Sequence, residues 1–559
     1  MPRRPARETP GRPQGREEPQ SEMHPLVPLT AAAALAGAGC PAPAAPASGP
    51  APAATLESAR RRLRESGSAE VVRTTRELVA FQTIAELGPP ADNPEFAALA
   101  AYLERRAAEH GLDFRIHGPH DAYEVLLRGR SGRRALTIVT HVDVVPAADP
   151  PQRLAPGAPV EGWTVPPFEV SERDGFLYGR GVEDDKGPVA AALVALETLA
   201  AAGFVPEGDV VLAMGTAEES DWDGMRRYAA EAPAAEHVVS VDARFPVVVA
   251  ENGFVAWELR APLAAASPAG PDELVVLHVA GGRSLTRIPD RAELWLGPGP
   301  AGLDAALAAA RAACAAERAG RDDPDFDAHA VPAERAGRPA VRVEARGRAA
   351  HSSEPESAAN ALWMLAGVAA RLPLAPGGAR ALLAILHESF DGDPYGERLG
   401  LARRDPQLGP LVVAPTVLAV EDGTLRLRIN MRRPDDAGRE AFAAELDAAA
   451  ARLGAAHPGV VQADERYVGE PYRVPADSAL VRTLLEIYRS EAGEPEAQAA
   501  TVRGGTYARL FPGAVSFGPC APGVPYGGHA ADERIARRQL ELTLRGLFEA
   551  MVRLAGPDP

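Results

Sequence analysis

Residues 182–188 read VEDDKGP, an acidic turn that precedes a predicted helix. Pro188 begins a mostly apolar, alanine-rich run that continues to Ala202, and Gly203 follows its end. Proline in the first turn and glycine after the last turn are typical helix boundaries. The pattern therefore places Asp184 in the turn before a helix.

This turn lies midway along an ordered series of histidine and carboxylate clusters. The clusters are His141-Val142-Asp143, Asp184, Glu218-Glu219, Asp242 and His529. An acidic pair before a lysine is usually a solvated loop, and a lone histidine is more often a packed or surface residue than a ligand. The order of all five clusters is what indicates a site for two metal ions.

The first cluster follows an apolar run of strand length. Residues 135–140 (ALTIVT) are rich in β-branched side chains and predict a buried strand. Side chains two positions apart in extended backbone point the same way. We therefore expect His141 to bind metal through one ring nitrogen while the Asp143 carboxylate orients the ring from the other, without itself being a ligand.

The Glu218-Glu219 pair follows another strand-like run, residues 209–216 (DVVLAMGT). In an open α/β sheet, sites form at the carboxyl ends of strands. Two adjacent glutamates in regular backbone cannot point into one site as equals. The pair therefore indicates a division of labour, in which one glutamate binds metal and the other transfers protons during hydrolysis.

Taken together, these segments resemble the co-catalytic zinc peptidases, a group that includes carnosinase, glutamate carboxypeptidase, acetylornithine deacetylase and the PepV-type bacterial dipeptidases. The resemblance runs from about Leu56 to the C-terminus and is closest to the PepV-type dipeptidases. The matching segments are THVDVVP (140–146), GRG (179–181), DDKGP (184–188), GTAEES (215–220), VDARFP (241–246) and GHAADE (528–533). The resemblance implies an α/β fold, in which a catalytic domain with a central mixed sheet flanked by helices carries an inserted α+β lid domain.

The resemblance also implies the roles of the metal-site residues. Asp184 would bridge two zinc ions, with His141 and Asp242 completing one site. Glu219 and His529 would complete the other, and Glu218 would be the general base and acid. In the family the peptide bond inside the Asp-Asp pair is cis, so we expect a cis bond after Asp184. Such sites also accept manganese or cobalt, so zinc is implied by the resemblance alone.

Two further segments resemble parts of the family that contact the substrate. RAAHSS (348–353) resembles the lid motif whose histidine reaches the active site, so His351 is expected to donate a hydrogen bond to the developing oxyanion. GGT (504–506) resembles the substrate-contacting glycine loop, in which Gly505 and Thr506 would lie against the ligand.

A dipeptidase must also bind the C-terminal carboxylate of its substrate, and a guanidinium fork suits that task. In LRINMRRP (427–434), Arg432 matches the family's carboxylate-binding arginine. For Arg428 and Arg433 a solvated charge on a strand is the favoured interpretation.

Two positions depart from the family pattern and bear on substrate preference. Arg244 lies two places after the Asp242 ligand, where PepV-type enzymes usually carry an acidic residue. Thr286 stands where an asparagine usually precedes the Val-Pro or Ile-Pro step of the lid. The metal ligands are unaffected.

The distant position of His529 predicts a catalytic domain divided by an insertion. The expected units are a catalytic part at 56–254, a lid domain at 255–466 and a second catalytic part at 467–559. The insertion contains strand-like runs at 274–280, 340–345 and 425–429, with helical stretches at 303–319 and 360–371. By resemblance the enlarged lid fills space that a partner subunit occupies in dimeric relatives, which favours a monomer.

The first 55 residues differ in kind from the rest. Residues 1–22 are rich in Pro, Arg and Glu and predict disorder. From Met23 a short apolar run ends in small residues before Cys40, which resembles a bacterial lipoprotein signal with a lipid anchor at Cys40, followed by a Pro/Ala tether at 41–54. The predicted location is the cell envelope. The alternative is a low-complexity extension on a cytoplasmic enzyme.

Composition narrows the classes of partner. The 559 residues carry a net charge of −17, which disfavours nucleic acid and anionic membrane surfaces as partners. The three cysteines do not form a disulfide framework. A small peptide is the expected partner.

Three functions stay open at this point. The leading hypothesis is zinc-dependent hydrolysis of dipeptides. An N-acyl amino acid deacylase on the same fold differs in requiring an acyl cap instead of a free α-amine. A non-catalytic envelope protein that binds peptide or metal is disfavoured by Glu218, because a binding module has no use for a proton shuttle beside a complete ligand set.

Overall fold

The computed structural model describes residues 52–148, 150–263, 270 and 272–556. The α-helices in these residues are Pro52–Val79, Pro94–Glu109, Lys186–Ala201, Asp223–Glu231, Leu303–Ala319, Ala361–Ala370, Gly378–Ile385, Arg439–Ala456, Ala479–Ala492 and Arg537–Ala555. The helix predicted after the acidic turn is confirmed, because it begins at Lys186 and Gly203 follows its end at a φ of 75°. Asp184 therefore lies just before the helix.

One nine-stranded sheet is built from two stretches of the chain, residues 113–251 and residues 472–516. In spatial order its strands are Asp113–His117, Ala122–Leu127, Asp209–Gly215, Arg134–His141, Ala235–Ser240, Val515–Ser516, Val248–Glu251 and Tyr472–Arg473, with Ala500–Val502 pairing with Val248–Glu251. The four strands from Asp209–Gly215 to Val515–Ser516 run parallel, and the others make the sheet mixed.

The central strands of this sheet are covered on both faces. Every residue of Arg134–His141 and of Asp209–Gly215 is buried, as expected for continuous apolar runs within a parallel sheet. Pro52–Val79, Lys186–Ala201 and Arg537–Ala555 pack against one another on one side. The faces of the central strands are therefore covered, and the carboxyl edge of the sheet is where a site can form.

A second nine-stranded sheet follows the chain from Gly253 to Val468. In spatial order its strands are Asp327–Arg335, Arg338–Arg346, Arg291–Gly297, Val275–Gly281, Val412–Glu421, Thr424–Arg433, Gly253–Pro262 and Val461–Gln462, with Tyr467–Val468 also pairing with Gly253–Pro262. All these pairs are antiparallel, and Leu303–Ala319, Ala361–Ala370 and Gly378–Ile385 pack on the sheet. The strands and helices anticipated in this segment are present.

The other strands of the described residues form four small sheets. They are Arg287–Ile288 with Ala350–His351, Arg404–Asp405 with Gly409–Pro410, Pro519–Cys520 with Ala243–Arg244, and Arg534–Ala536 with Phe176–Tyr178 and Ser171–Arg173. Single helical turns lie at Ala85–Leu87, Pro355–Ser357 and Tyr507–Leu510, and Leu386–Phe390 is a π-helical turn.

Each sheet has its own hydrophobic core. One core draws on residues 59–249 and 474–555, and the other on residues 255–460. The chain leaves the first sheet after Glu251 and returns to it at Tyr472. The predicted α/β class, a mixed sheet flanked by helices plus an inserted α+β part, is confirmed.

The proposed signal and lipid anchor at Cys40 lie outside the described residues. Within the residues that are described, no helix combines the length and the apolar character needed to cross a membrane.

Candidate metal centre and active site

The candidate ligands follow the carboxyl ends of neighbouring parallel strands. His141 is the last residue of its strand, Glu218 and Glu219 follow the strand that ends at Gly215, and Asp242 follows the strand that ends at Ser240. Carboxyl ends of parallel strands meet at one edge of the sheet, and that edge is where sites form. The sheet topology therefore brings these side chains together.

Two groups of three side chains converge at this edge. One group is His141, Asp184 and Asp242, and the other is Asp184, Glu219 and His529; within each group the potential ligand atoms lie within 4.8 Å of one another. Asp184 belongs to both groups. All five residues predicted as ligands are thus brought together, including His529, which lies 310 residues after Glu219 in sequence.

The Asp184 carboxylate faces one histidine with each oxygen. Its Oδ1 lies 2.8 Å from Nε2 of His141, and its Oδ2 lies 3.1 Å from Nε2 of His529. Glu219 Oε1 is 2.8 Å from the same His529 nitrogen, and Asp242 Oδ2 is 3.9 Å from His141 Nε2. This is the arrangement expected of a carboxylate between two cations.

The charges at the cluster also fit cation binding. Burial raises the pKa of Asp242 well above its usual range, and Asp184 reinforces the effect. Burial likewise raises the pKa of Glu219. At Asp184 burial acts in the same direction, but hydrogen bonds from His141 and His529 outweigh it and hold the pKa well below its usual range. Imidazole nitrogens and carboxylate oxygens are zinc ligands, and a divalent ion would relieve the crowding of the carboxylates.

Asp143 connects the first histidine to the glutamate pair. Its Oδ1 lies 3.3 Å from Nδ1 of His141, as the sequence predicts, and the backbone carbonyl of Asp143 lies 3.1 Å from the same nitrogen. The two carboxylate oxygens also accept the backbone N–H groups of Glu218 and Glu219, each at 3.0 Å. Asp143 therefore fixes both the imidazole and the backbone that carries the glutamates.

The peptide bond between Asp184 and Asp185 is cis, as predicted. The turn around it is held by Glu533, a residue to which the sequence assigns no role. The Glu533 carboxylate accepts the backbone N–H groups of Gly181 at 2.9 Å, Glu183 at 2.9 Å and Asp184 at 3.1 Å, and the Arg180 guanidinium at 2.6 Å.

Glu218 lines the cavity beside the metal cluster. Trp222 donates its indole N–H to the Glu218 carbonyl at 2.6 Å, which adds to the Asp143 contact in fixing the backbone. Burial raises the pKa of the Glu218 carboxyl well above its usual range; His141 opposes this shift, and Glu219 and Asp184 reinforce it.

The cavity has a volume of about 560 Å³. It is lined by residues of the part that carries the first sheet and by residues of the inserted part. His351 reaches it from the inserted part, and its ring centroid lies 5.9 Å from that of His529. The backbone N–H of Ser353 donates to Nδ1 of His351 at 3.3 Å, which leaves the ring proton of the neutral imidazole on Nε2. Burial, assisted by Arg432 and His529, lowers the pKa of His351 well below its usual range, so the ring is neutral.

Arg432 lines the same cavity without an acidic partner. Its Nε donates to Asn430 Oδ1 at 3.0 Å and its Nη2 to Ser352 Oγ at 3.1 Å, and within the described residues it takes part in no ion pair. Only 3% of Arg432 is exposed. Burial, assisted by Arg509, lowers its pKa to about 9, which leaves the guanidinium charged at neutral pH.

Arg428 and Arg433 of the same strand differ from Arg432. Arg428 is bound by Glu258 and Glu421, each at 2.9 Å, on the partly exposed face. The expectation of a solvated charge is wrong for Arg433, whose side chain is fully buried and ion-paired with Glu470. That side chain points to the core face of the sheet, where a charge needs a partner.

Gly505 and Thr506 also line the cavity. The Thr506 hydroxyl donates to Glu251 Oε1 at 2.7 Å and its backbone N–H to Glu251 Oε2 at 3.1 Å, so Glu251 holds the loop in place. A Cβ added at Gly505 would lie 3.2 Å from the Arg509 guanidinium, so a side chain there would require Arg509 to shift slightly. The backbone N–H and hydroxyl contacts of Thr506 were not evident from the sequence.

The two departures from the family pattern are part of the cavity wall. Arg244 donates to Glu354 Oε1 at 3.1 Å, and the Thr286 carbonyl accepts the backbone N–H of Ser352 at 2.8 Å. Both residues line the cavity, so each lies where it can influence substrate preference.

Comparisons with known proteins agree with this geometry. The model of a protein family described as peptidase family M20/M25/M40 matches residues 137–553. The Beta-Ala-Xaa dipeptidase of Lactobacillus delbrueckii subsp. lactis is 29% identical over 428 residues, which cover 76% of this chain and 83% of the relative. The putative dipeptidase YtjP of Bacillus subtilis (strain 168) is 28% identical over 477 residues, which cover 83% of this chain and 93% of the relative.

Solved structures share the fold. Human carnosine dipeptidase 1 superposes with a TM-score of 0.52 at 14% identity, and the di-peptidase Dug1p of Saccharomyces cerevisiae with a TM-score of 0.53 at 11% identity. Each alignment covers 90% of this chain and 99% of the solved chain.

Proposed function

The chain belongs to peptidase family M20/M25/M40, and we propose that it hydrolyses the peptide bond of dipeptides with two bound zinc ions. The relatives named as dipeptidases support peptide hydrolysis. One observation supports the finer proposal: members of both ligand groups, Glu218 and Arg432, whose guanidinium has no acidic partner in the described residues, line one cavity of about 560 Å³.

In this proposal His141 and Asp242 would hold one ion, Glu219 and His529 would hold the other, and Asp184 would serve both, since it belongs to both ligand groups. Such ions, when bound, activate a water molecule and polarise the scissile carbonyl. Manganese or cobalt would suit the same ligands, and the set of oxygen and nitrogen donors does not by itself select among these metals.

Glu218 transfers the protons in this mechanism. Asp143 and Trp222 fix its backbone, and its carboxylate lies in the cavity beside both ligand groups. It accepts a proton from the attacking water and returns it to the amine that leaves. Asp143 supports this role indirectly, because it orients both His141 and the segment that carries Glu218.

His351 donates a hydrogen bond to the oxyanion. Its neutral ring carries the proton on Nε2, because Nδ1 already accepts the N–H of Ser353. A neutral donor fixed in a water-poor cavity stabilises developing negative charge without first having to reorganise. Ser353 therefore sets the tautomer that the reaction needs.

Arg432 binds the C-terminal carboxylate of the substrate. A buried guanidinium without an acidic partner is costly unless a ligand supplies the anion. Asn430 and Ser352 hold its Nε and Nη2 in place. Because the carboxylate site and the metal cluster share one small cavity, we expect dipeptides to fit and longer peptides to be excluded. The loop at Gly505 and Thr506 contributes backbone contacts to the bound peptide.

An N-acyl amino acid deacylase is the second candidate, and Arg244 is the residue that bears on it. Its guanidinium lies in the cavity wall two residues after Asp242, where an acidic residue would favour a free α-ammonium group, and it is ion-paired there with Glu354. The cavity otherwise suits either substrate, since both present a carboxylate to Arg432. A non-catalytic envelope protein that binds peptide or metal has no observation in its favour.

The experiment measures amino acid release from dipeptides, tripeptides and N-acetyl amino acids. Protein stripped of metal is compared with protein reloaded with zinc or manganese. Metal-dependent cleavage confined to dipeptides is the expected result. Cleavage of only the acylated compounds would assign a deacylase, and metal binding without any cleavage would reject both enzymes.

We also propose a location and an assembly state. The small-residue run before Cys40 supports a lipid-anchored protein of the cell envelope, and a cytoplasmic enzyme is the alternative. Incorporation of labelled fatty acid that is lost on Cys40→Ser would support the anchor. His351 and Arg432 reach the cavity from the same chain as the metal cluster, which supports a monomer.

A further inference from the structure

Two aromatic side chains continue the cavity wall beyond Arg432. Phe254 is the cross-strand neighbour of Arg432, and the guanidinium carbon lies 5.0 Å from the centroid of the Phe254 ring. Tyr467 pairs opposite Ala256, two residues along the same strand, so its side chain is on the same face of the sheet as Phe254. The ring centroids of Phe254 and Tyr467 are 6.0 Å apart. Both residues line the cavity.

This face of the sheet lies opposite to its core. Along Gly253–Pro262 the buried residues alternate with partly exposed ones, and Phe254 is in the partly exposed set. Tyr467 is 49% exposed. The other large apolar side chains exposed to a similar degree in the described residues are Ile116, Val205 and Val461, and none of them lines this cavity. A single exposed ring usually needs no explanation, but this one adjoins Phe254, whose ring lies over the buried guanidinium of Arg432.

We propose that Phe254 and Tyr467 form the subsite for the side chain of the substrate's C-terminal residue, and that the enzyme prefers a large apolar or aromatic residue there. The inference rests on the proposed function and specifies its substrate class. The carboxylate and the side chain of the C-terminal residue share one Cα, so a carboxylate bound to Arg432 brings the side chain next to the groups that adjoin Arg432.

The neighbours of Arg432 differ in what they offer to that side chain. Asn430 and Ser352 occupy one side of the guanidinium through hydrogen bonds, and the Phe254 ring lies against its face. Arg509, the neighbouring cation, is already bound by Glu251 Oε2 at 3.1 Å and by the Asn252 carbonyl at 2.8 Å. Among these neighbours Phe254 presents an aromatic surface that makes no hydrogen bond, and an apolar side chain gains most from covering it.

The test compares Ala-Phe and Ala-Gly as substrates of the zinc-loaded full chain and of Tyr467→Ala. These peptides differ only in the C-terminal side chain. The unaltered chain is expected to favour Ala-Phe in kcat/KM. In the variant, kcat/KM for Ala-Phe should fall about tenfold, as expected for losing most of one apolar contact surface, while the value for Ala-Gly stays within about twofold. Tyr467→Leu should restore part of the preference.

The matched control is Val461→Ala. Val461 is 61% exposed and lies on a short strand that pairs with the same Gly253–Pro262 strand, but it does not line the cavity. This variant should leave the Ala-Phe to Ala-Gly ratio unchanged. The ratio of Phe-Ala to Gly-Ala, which reports on the N-terminal residue, should be unchanged in both variants.

The outcomes separate the subsite from the proposed function. An unchanged Ala-Phe to Ala-Gly ratio in an active Tyr467→Ala protein overturns the subsite and leaves the dipeptidase assignment intact. An equal fall for both peptides overturns it as well, because the side chain would then act on the reaction and not on the C-terminal residue. If the unaltered chain cleaves neither peptide, the proposed function fails and the subsite fails with it.

Discussion

The two walls of the cavity are charged in opposite ways. The wall at the edge of the first sheet gathers Asp184, Glu219 and Asp242 around two histidines, and burial opposes the ionisation of these carboxylates. The wall from the second sheet presents Arg432, a buried guanidinium without an acidic partner in the described residues. One wall crowds three carboxylates together, and the other holds a guanidinium that has no carboxylate partner in the described residues. In the proposed function each wall is completed by a ligand of opposite sign, a metal ion in one case and the substrate carboxylate in the other.

The largest expected effect comes from Glu218→Gln, which removes the proton-transferring carboxylate from the first wall and keeps all the predicted metal ligands. Glutamine keeps the shape of the side chain but cannot accept and return a proton. We expect kcat to fall about a thousandfold, within the range for loss of a general base and acid. Bound zinc per chain, measured by mass spectrometry of the metal, should be unchanged.

Glu219→Gln is the matched control, because it alters the adjacent glutamate. Here zinc content should fall together with activity, since Glu219 Oε1 faces His529 in the second ligand group. If both variants lost zinc equally, or if Glu218→Gln kept full turnover, the division of labour between the two glutamates would be rejected.

The sequence predicts the first wall better than the second. His141, Asp184, Glu219 and Asp242 follow strands or precede a helix whose apolar patterns are visible locally, and parallel strands bring their ends together. His529 is different, because no local pattern links it to Glu219 across 310 residues. Only the resemblance to a family provides that link.

The supporting contacts could not be predicted from local sequence. Glu533 accepts three backbone N–H groups from residues about 350 positions earlier, and which carboxylate does so is decided by tertiary packing. The arginines at 428, 432 and 433 look alike in sequence. Their partners separate them, since Arg428 and Arg433 meet carboxylates from other strands and loops, and Arg432 does not. The lid role of the inserted part and the boundaries between units stay predictions.

The second largest effect is expected for Arg432→Ala, which removes the guanidinium from the second wall. Removing the guanidinium leaves the substrate carboxylate unpaired in a buried site, so kcat/KM for a dipeptide should fall about a hundredfold or more. The loss should appear mainly in KM. Arg428→Ala is the control on the same strand, and because Glu258 and Glu421 already neutralise Arg428, activity should change less than twofold.

Amidated dipeptides sharpen this prediction. For the unaltered chain, converting the C-terminal carboxylate to an amide should cost about as much as Arg432→Ala does, because both remove one partner of the same pair. In Arg432→Ala the amide should cost little more. Two independent, multiplying losses would mean that another residue binds the carboxylate.

The smallest effect is expected where the two walls are joined. Two ion pairs connect the segment that follows His351 to the part of the molecule that carries the first sheet. Arg503 Nη1 donates to Glu356 Oε1 at 2.8 Å, and Arg244 Nη2 donates to Glu354 Oε1 at 3.1 Å. Both pairs are partly exposed, so each contributes at most about 1 kcal/mol. They hold His351 in place without touching the reacting atoms.

Arg503→Ala should therefore lower kcat/KM only about two- to fivefold, the range that corresponds to one partly exposed ion pair. The unaltered chain should lose a similar factor between low and high salt, and the variant should lose less, because the screened interaction is already gone. Arg64→Ala removes an ion pair to Glu57 of similar length, 2.8 Å, on the first helix, and should leave activity unchanged. A loss of a hundredfold in Arg503→Ala would instead mean that Arg503 binds substrate directly, which would extend the cationic wall beyond Arg432.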